Sequence, residues 1–102
     1  MHVIEIFLPV RRNDGSLQPR GVLGDIRAEL VEKFGGLTAY SRAPADGFWQ
    51  SEEGQVEQDA IVVIEVMTEE TDRQWWRDFR ARLEKLLEQQ AVLIRSSAVE
   101  RL

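Results

Sequence analysis

The chain has 102 residues, 43% hydrophobic and 30% charged, with a formal net charge of -5. That is about one domain of ordinary globular composition, and its acidic balance argues against a general phosphate-binding surface and so against nucleic acid as a partner. No cysteine is present, which excludes disulfides, iron–sulfur clusters, thiolate zinc sites and cysteine nucleophiles.

The apolar opening, His2 to Val10, lacks a basic start, contains Glu5 and is followed by no small-residue cleavage site. It reads as a strand and not as a signal peptide. No run approaches the roughly 18 apolar residues that span a membrane, and nothing demands an oxidising compartment, so a cytosolic protein with no membrane partner is expected. Within the strand Ile4, Ile6 and Leu8 alternate onto one face and Val3, Glu5 and Phe7 onto the other. A polar loop, Arg11 to Gln18, follows, with Asn13-Asp14-Gly15-Ser16 supplying turn chemistry.

The spacing of Leu23, Ile26, Leu30 and Phe34 predicts a helix from near Pro19, stopped by Gly35-Gly36. Leu37 to Ala43 reads as the second strand, interrupted at Pro44 to Gly47 because proline cannot donate to a ladder. Phe48, Trp49 and Gln50 are placed to resume it, and Ser51-Glu52-Glu53-Gly54 reads as a hairpin turn. The third strand, Asp59 to Met67, is DAIVVIEVM: Ala60, Val62, Ile64 and Val66 share one face, and Ile61, Val63, Glu65 and Met67 the other. A strand apolar on both sides belongs inside a sheet that is covered on both faces.

The second helix is predicted to start at Thr71 as N-cap, with Gln74 three residues on and Glu69, Glu70 and Asp72 at the positive end of its dipole. Trp76, Phe79, Leu83, Leu86 and Leu87 form its buried stripe. Trp75 stands about 100° from Trp76 and is read as flanking that stripe. Ala91 to Val99 is the final strand. The order strand, helix, strand, strand, helix, strand, with right-handed crossovers, folds most simply as an α+β ferredoxin-like β-α-β-β-α-β sandwich. Its four-stranded antiparallel sheet has order 4-1-3-2 with both helices on one face, a single domain over residues 1–102.

In that topology the first and third strands are central neighbours, and pairing Val3 near Met67 sets Glu5 opposite Glu65 on the face away from the helices. Their side chains would stand about 5 Å apart, among Val3, Phe7, Ile61, Val63 and Met67. Two such carboxylates repel unless one keeps its proton or cations join them. Arg95, Arg42 and Tyr40 alternate onto that face in one register, and a one-residue slip removes them from it. One reading is an acid–base pair or polar anchor; the plainer one is ion pairing with Arg95 or Arg42 inside an interface.

Trp49 is a candidate pocket wall, although an aromatic there more often caps a core edge. Arg11, Arg12 and Arg20 bracket the first helix but lack a phosphate-type glycine pattern. His2, the single histidine, cannot form a metal site alone, and no bound cofactor or metal is expected. Serine hydrolysis lacks a nucleophile elbow. An RNA-reading sheet would stack bases on exposed aromatics where this chain places aliphatic residues, Glu5 and Glu65.

The run Phe34-Gly35-Gly36-Leu37-Thr38-Ala39-Tyr40-Ser41-Arg42-Ala43-Pro44-Ala45-Asp46-Gly47-Phe48-Trp49, with Glu65-Val66-Met67 and Asp72-Arg73-Gln74-Trp75-Trp76, resembles a group of short bacterial proteins of unassigned function. The arrangement is also similar to the ferredoxin-like dimeric α+β barrels, in which two open sheet faces pack together. That resemblance implies a fold, a bacterial source and self-packing; the superfamily's monooxygenases, haem-degrading enzymes, isomerases and sensors offer no catalytic motif that matches here residue by residue.

Three functions follow. The first is a homo-oligomeric binding or regulatory module, a dimer favoured, that covers the apolar face of Val3, Phe7, Ile61, Val63 and Met67 and holds any small polar ligand near Glu5, Glu65, Tyr40, Arg42 and Trp49. The second is a cofactor-independent enzyme with Glu5 or Glu65 as general base and Arg95 or Arg42 steadying negative charge. The third is an adaptor or neutralising subunit whose sheet is covered by another protein.

Overall fold

The computed structural model describes residues 1–50 and 56–102, with the backbone alone over 41–50 and 56–59. Its elements are β1 (His2–Pro9), α1 (Val22–Phe34), β2 (Thr38–Gln50), β3 (Val56–Thr68), α2 (Arg73–Leu86) and β4 (Ile94–Ala98). All three strand pairings are antiparallel, in the order β2-β3-β1-β4. This is the expected α+β sandwich, with β3 and β1 at the centre.

Alternation sorts the two central strands as the sequence requires. Ile4, Ile6 and Leu8 of β1 and Val62, Ile64 and Val66 of β3 are buried in one cluster with Ile26 and Leu30 of α1 and Trp76, Phe79 and Leu83 of α2. Leu87 and Val92 close that cluster beyond the end of α2, whereas Leu86, expected in the buried stripe, is 45% exposed because it falls to the side of the helix away from the sheet. The helices meet through aromatics: the Phe34 ring stacks on Trp76 at 5.3 Å and meets Trp75 edge-on at 5.4 Å. Trp75 therefore flanks the stripe against α1, with the Lys33 ammonium 4.6 Å from its ring. Arg82 adds a bidentate pair to Glu29 across the same seam, at 2.5 and 3.1 Å. No helix among the described residues is long and apolar enough to cross a membrane.

Several boundaries differ from expectation. Helix α1 begins at Val22, not near Pro19, because Gly21 takes the left-handed conformation at φ 88° and cannot continue a helix. At its other end Gly35, at φ 83°, turns back to donate its N–H to the Val31 carbonyl at 2.8 Å. The Asn13 to Ser16 turn forms as read: the Ser16 hydroxyl and N–H donate to the Asp14 carboxylate at 2.5 and 2.9 Å and hold its pKa below the usual range.

Helix α2 is capped by Asp72, one residue after the expected Thr71, because the Asp72 carboxylate accepts the Trp75 N–H at 3.1 Å. Asp72→Ala should lower stability by about 1 kcal/mol, read as a shifted urea midpoint at unchanged slope. An unshifted midpoint would show that the cap adds nothing. The Pro44 to Gly47 stretch does not end β2. Tyr40 pairs with Val63 and Ala45 with Ile61, so residues 41–44 stand against Val62 alone and the strand bulges through. The expected turn at Ser51-Glu52-Glu53-Gly54 lies outside the described residues.

The last strand is shorter than the expected Ala91 to Val99. Before it, the Val92 N–H donates to the Glu84 carboxylate of α2 at 2.9 Å, which draws the lead-in away from the ladder. Two bonds extend the pairing past Ile94–Ala98 at either end: Phe7 N–H to the Leu93 carbonyl and Val99 N–H to the Met1 carbonyl, both 3.0 Å.

Candidate functional site

The helices cover one face of the sheet, and the other face carries nearly every candidate read from the sequence. Its composition follows from register. Val3 pairs with Met67, Glu5 with Glu65 and Phe7 with Val63, while Glu5 also faces Arg95 and Glu65 faces Thr38. Thr38, Glu65, Glu5 and Arg95 therefore form one polar row across all four strands. Beside it runs an apolar row of Tyr40, Val63 and Phe7, completed by Leu93, whose carbonyl accepts the Phe7 N–H. Met67, Val3 and Ser97 flank the polar row on its other side.

The polar row is internally paired at one end. Arg95 Nε donates to Glu5 Oε1 at 2.9 Å, and the same guanidinium lies 5.0 Å above the Phe7 ring. Stacking on the ring and bonding to the carboxylate fix the plane of Arg95, so the two contacts support each other. The Arg95 side chain is 58% exposed and that of Glu5 21%, and a pair so open to water contributes about 1 kcal/mol or less in the isolated chain. Glu65 is half-buried beside it. Opposed cross-strand positions set the Cβ atoms of Glu5 and Glu65 about 5 Å apart.

The apolar row, like the polar one, is open at its two ends and half-buried between them. Leu93 is 55%, Tyr40 51% and Met67 50% open to solvent, while Val3, Phe7, Ile61 and Val63 are half-buried. Leu93 was not among the residues singled out from the sequence. Its signal was present, because it stands two residues before Arg95 and shares the parity that carries Arg95 onto this face.

Trp49 and Arg42 lie in the part of β2 described by its backbone alone. The backbone of Trp49 lies opposite Glu57, eight residues along β3 from Glu65, a separation of about 26 Å at strand rise. The two backbone positions are therefore far apart along the ladder. Arg42 belongs to the bulged residues 41–44, and its side chain lies outside the described residues. A shallow, open depression lies between Asn13 and the end of α2, near Ala81, Glu84 and Lys85, away from the open face.

The arginines at the entry to α1 are partly spoken for. Arg12 pairs with the Glu88 carboxylate, and Arg11 Nη1 donates to the Gly15 carbonyl at 2.9 Å, while Arg20 is exposed. His2 is half-buried on β1 opposite Thr68. Among the described residues no three His, Asp or Glu side chains converge as a metal-ion site.

No protein-family model matches the chain, and no curated protein does. Solved structures do. The divalent cation tolerance protein CutA1 from Thermus thermophilus superposes with a TM-score of 0.64 at 16% identity, over 99% of this chain and 86% of that one. A mutant CutA1 from Pyrococcus horikoshii gives 0.61 at 14% identity, over 100% of this chain and 86% of that one. A phage SAM lyase in complex with S-methyl-5'-thioadenosine gives 0.61 at 13% identity, over 94% and 79%. Identities this low establish a shared fold and nothing finer. That one fold carries names as different as cation tolerance and SAM lyase, so function must be argued from the face itself.

Proposed function

We propose that the protein is a cytosolic homo-oligomeric binding or regulatory module that buries its open sheet face against a second copy of itself, with a dimer as the simplest assembly. The observation that carries this reading is the apolar row Tyr40, Val63, Phe7 and Leu93, with Met67 and Val3 close by, standing open on the side of the sheet that no helix covers. An apolar patch of that extent on a soluble chain is the mark of an interaction surface. A polar row running through it gives register to the contact, since the Arg95–Glu5 pair and Glu65 need matching partners once water is excluded. A small polar ligand would be held in the same row, by Arg95, Glu5, Glu65 and Thr38.

The experiment is the solution mass by light scattering after size exclusion. The parent should run as a multiple of the 11.8 kDa chain, and Phe7→Asp should run as the single chain with its helical signal intact. A monomeric parent, or a Phe7→Asp variant at the parent's mass, would sink the reading.

A further inference from the structure

The polar row of the open face holds its charges in an order that selects among ligands, and the backbone sets their spacing. Phe7 donates its N–H to the Leu93 carbonyl and Val99 to the Met1 carbonyl. The odd residues of β1 therefore carry the ladder to β4, and Glu5 and Arg95 are a hydrogen-bonded pair. On the other side Val10 donates to the Ala60 carbonyl, which gives the even residues to β3. Glu5 and Glu65 are accordingly a non-hydrogen-bonded pair, the type whose side chains stand closer. From Arg95 to Glu65 the row spans about 10 Å between Cα atoms, about 5.5 Å to β1 and about 4.5 Å beyond it.

The Arg95 side chain shortens that span at the level of the charges. Its Nε reaches Glu5 at 2.9 Å, and its guanidinium carbon lies 5.0 Å from the centre of the Phe7 ring. The positive charge thus stands over β1, one strand from Glu65. Only Nε is spent: neither Nη atom donates to a described residue, and no described cation is within ion-pair distance of Glu65. The row has a guanidinium with donors to spare at one end and a carboxylate without a described partner at the other.

That order disfavours simple ions. A lone carboxylate that reached Arg95 would stand near two glutamates, and a lone amine that reached Glu65 would stand near a guanidinium. A ligand with both charges, its carboxylate toward Arg95 and its ammonium toward Glu65, meets attraction at both ends. An α-amino acid has this arrangement at a matching size. Its ammonium nitrogen and carboxyl carbon are about 2.5 Å apart, and a charge-assisted hydrogen bond of about 2.8 Å at each end brings the reach to about 8 Å, between one and two strand spacings. Phe7, Val63 and Tyr40 on one side of the row, and Val3 and Met67 on the other, suit an aliphatic side chain.

Resting on the reading of this face as a binding surface, we infer that the polar row binds a zwitterionic aliphatic amino acid, with Arg95 on its carboxylate, Glu65 on its ammonium and Glu5 as the residue that positions Arg95. A molecule of that size stays within the row when the apolar residues beside it pack against a second copy, and exclusion of water then strengthens both contacts.

The test is a chemical-shift titration of the labelled full chain with three probes: leucine, leucinamide, which lacks the carboxylate, and isocaproate, which lacks the ammonium. Leucine should give saturable shifts, and the other two should bind at least about tenfold more weakly. Glu65→Gln should weaken leucine about tenfold or more and leave isocaproate as it is, because only the ammonium contact is lost. Arg95→Gln should in the same way weaken leucine and spare leucinamide. Comparing two ligands on one variant cancels any effect of the substitution on folding or assembly. No saturable shift with leucine, three probes that bind alike, or a Glu65→Gln loss shared equally by leucine and isocaproate overturns the inference. Light scattering on the same samples separates the two readings. An oligomer that distinguishes none of the probes loses the site and keeps the assembly, whereas a monomer that selects leucine keeps the site and loses the assembly.

Discussion

Phe79→Ala should lower the stability of the chain by about 3–5 kcal/mol, the range for removing a buried aromatic from a packed core. Phe79 is 1% exposed at the point where the two helices and the sheet meet. Its ring stacks on Trp75 at 4.9 Å, meets Trp76 edge-on at 5.6 Å and lies under the Arg82 guanidinium at 5.2 Å. Alanine would leave a void bounded by two indoles, which are too large and too constrained by Phe34 to collapse into it, so the cavity cost adds to the lost transfer energy. The measurement is the urea midpoint, with Leu86→Ala as control. Leu86 lies on the same helix at 45% exposure, and its loss should change stability by no more than about 1 kcal/mol. Equal effects at the two positions would mean that this aromatic cluster is not the centre of the core.

Ile64→Ala and Val63→Ala test the two faces of one strand with adjacent residues. Ile64 has no solvent exposure and packs under the helices, so its truncation should cost about 2–5 kcal/mol whether or not the protein is assembled. Val63 is half-buried on the open face between Tyr40 and Phe7. Its truncation should cost the isolated chain about 1 kcal/mol or less and act mainly on assembly, seen as a dissociation constant that rises while the midpoint of the dilute protein hardly moves. A Val63→Ala variant that loses stability like Ile64→Ala would show that the second face is already covered within the chain.

The parts of this architecture that were legible in the sequence are those fixed by alternation. Glu5 opposite Glu65 could be read because β1 and β3 each sort their aliphatic residues by parity, and only register slips of two residues keep Ile4, Ile6, Leu8, Val62, Ile64 and Val66 together. Helix starts were less legible. Thr71 and Asp72 are both good N-cap types, and only the reach of the Asp72 carboxylate to the Trp75 N–H decides between them. The start of α1 depends on a positive φ at Gly21, which the sequence permits but does not require.

Strand β2 was the least legible, because a proline and a glycine within seven residues read as a break. The strand instead absorbs four residues against one and pairs on to Gln50. Phe48, Trp49 and Gln50 resume the pairing as expected, but the backbone of Trp49 lies far along the ladder from the carboxylates beside which it was read.

Strand β1 also sets the order in which the sheet can close. Both of its neighbours come from far along the chain, since Glu5 meets Glu65 on one side and Arg95 on the other. The centre of the sheet therefore waits for pairings of long sequence separation, and loop closure must be met before those contacts repay it. Folding should accordingly be slow for a chain of this size.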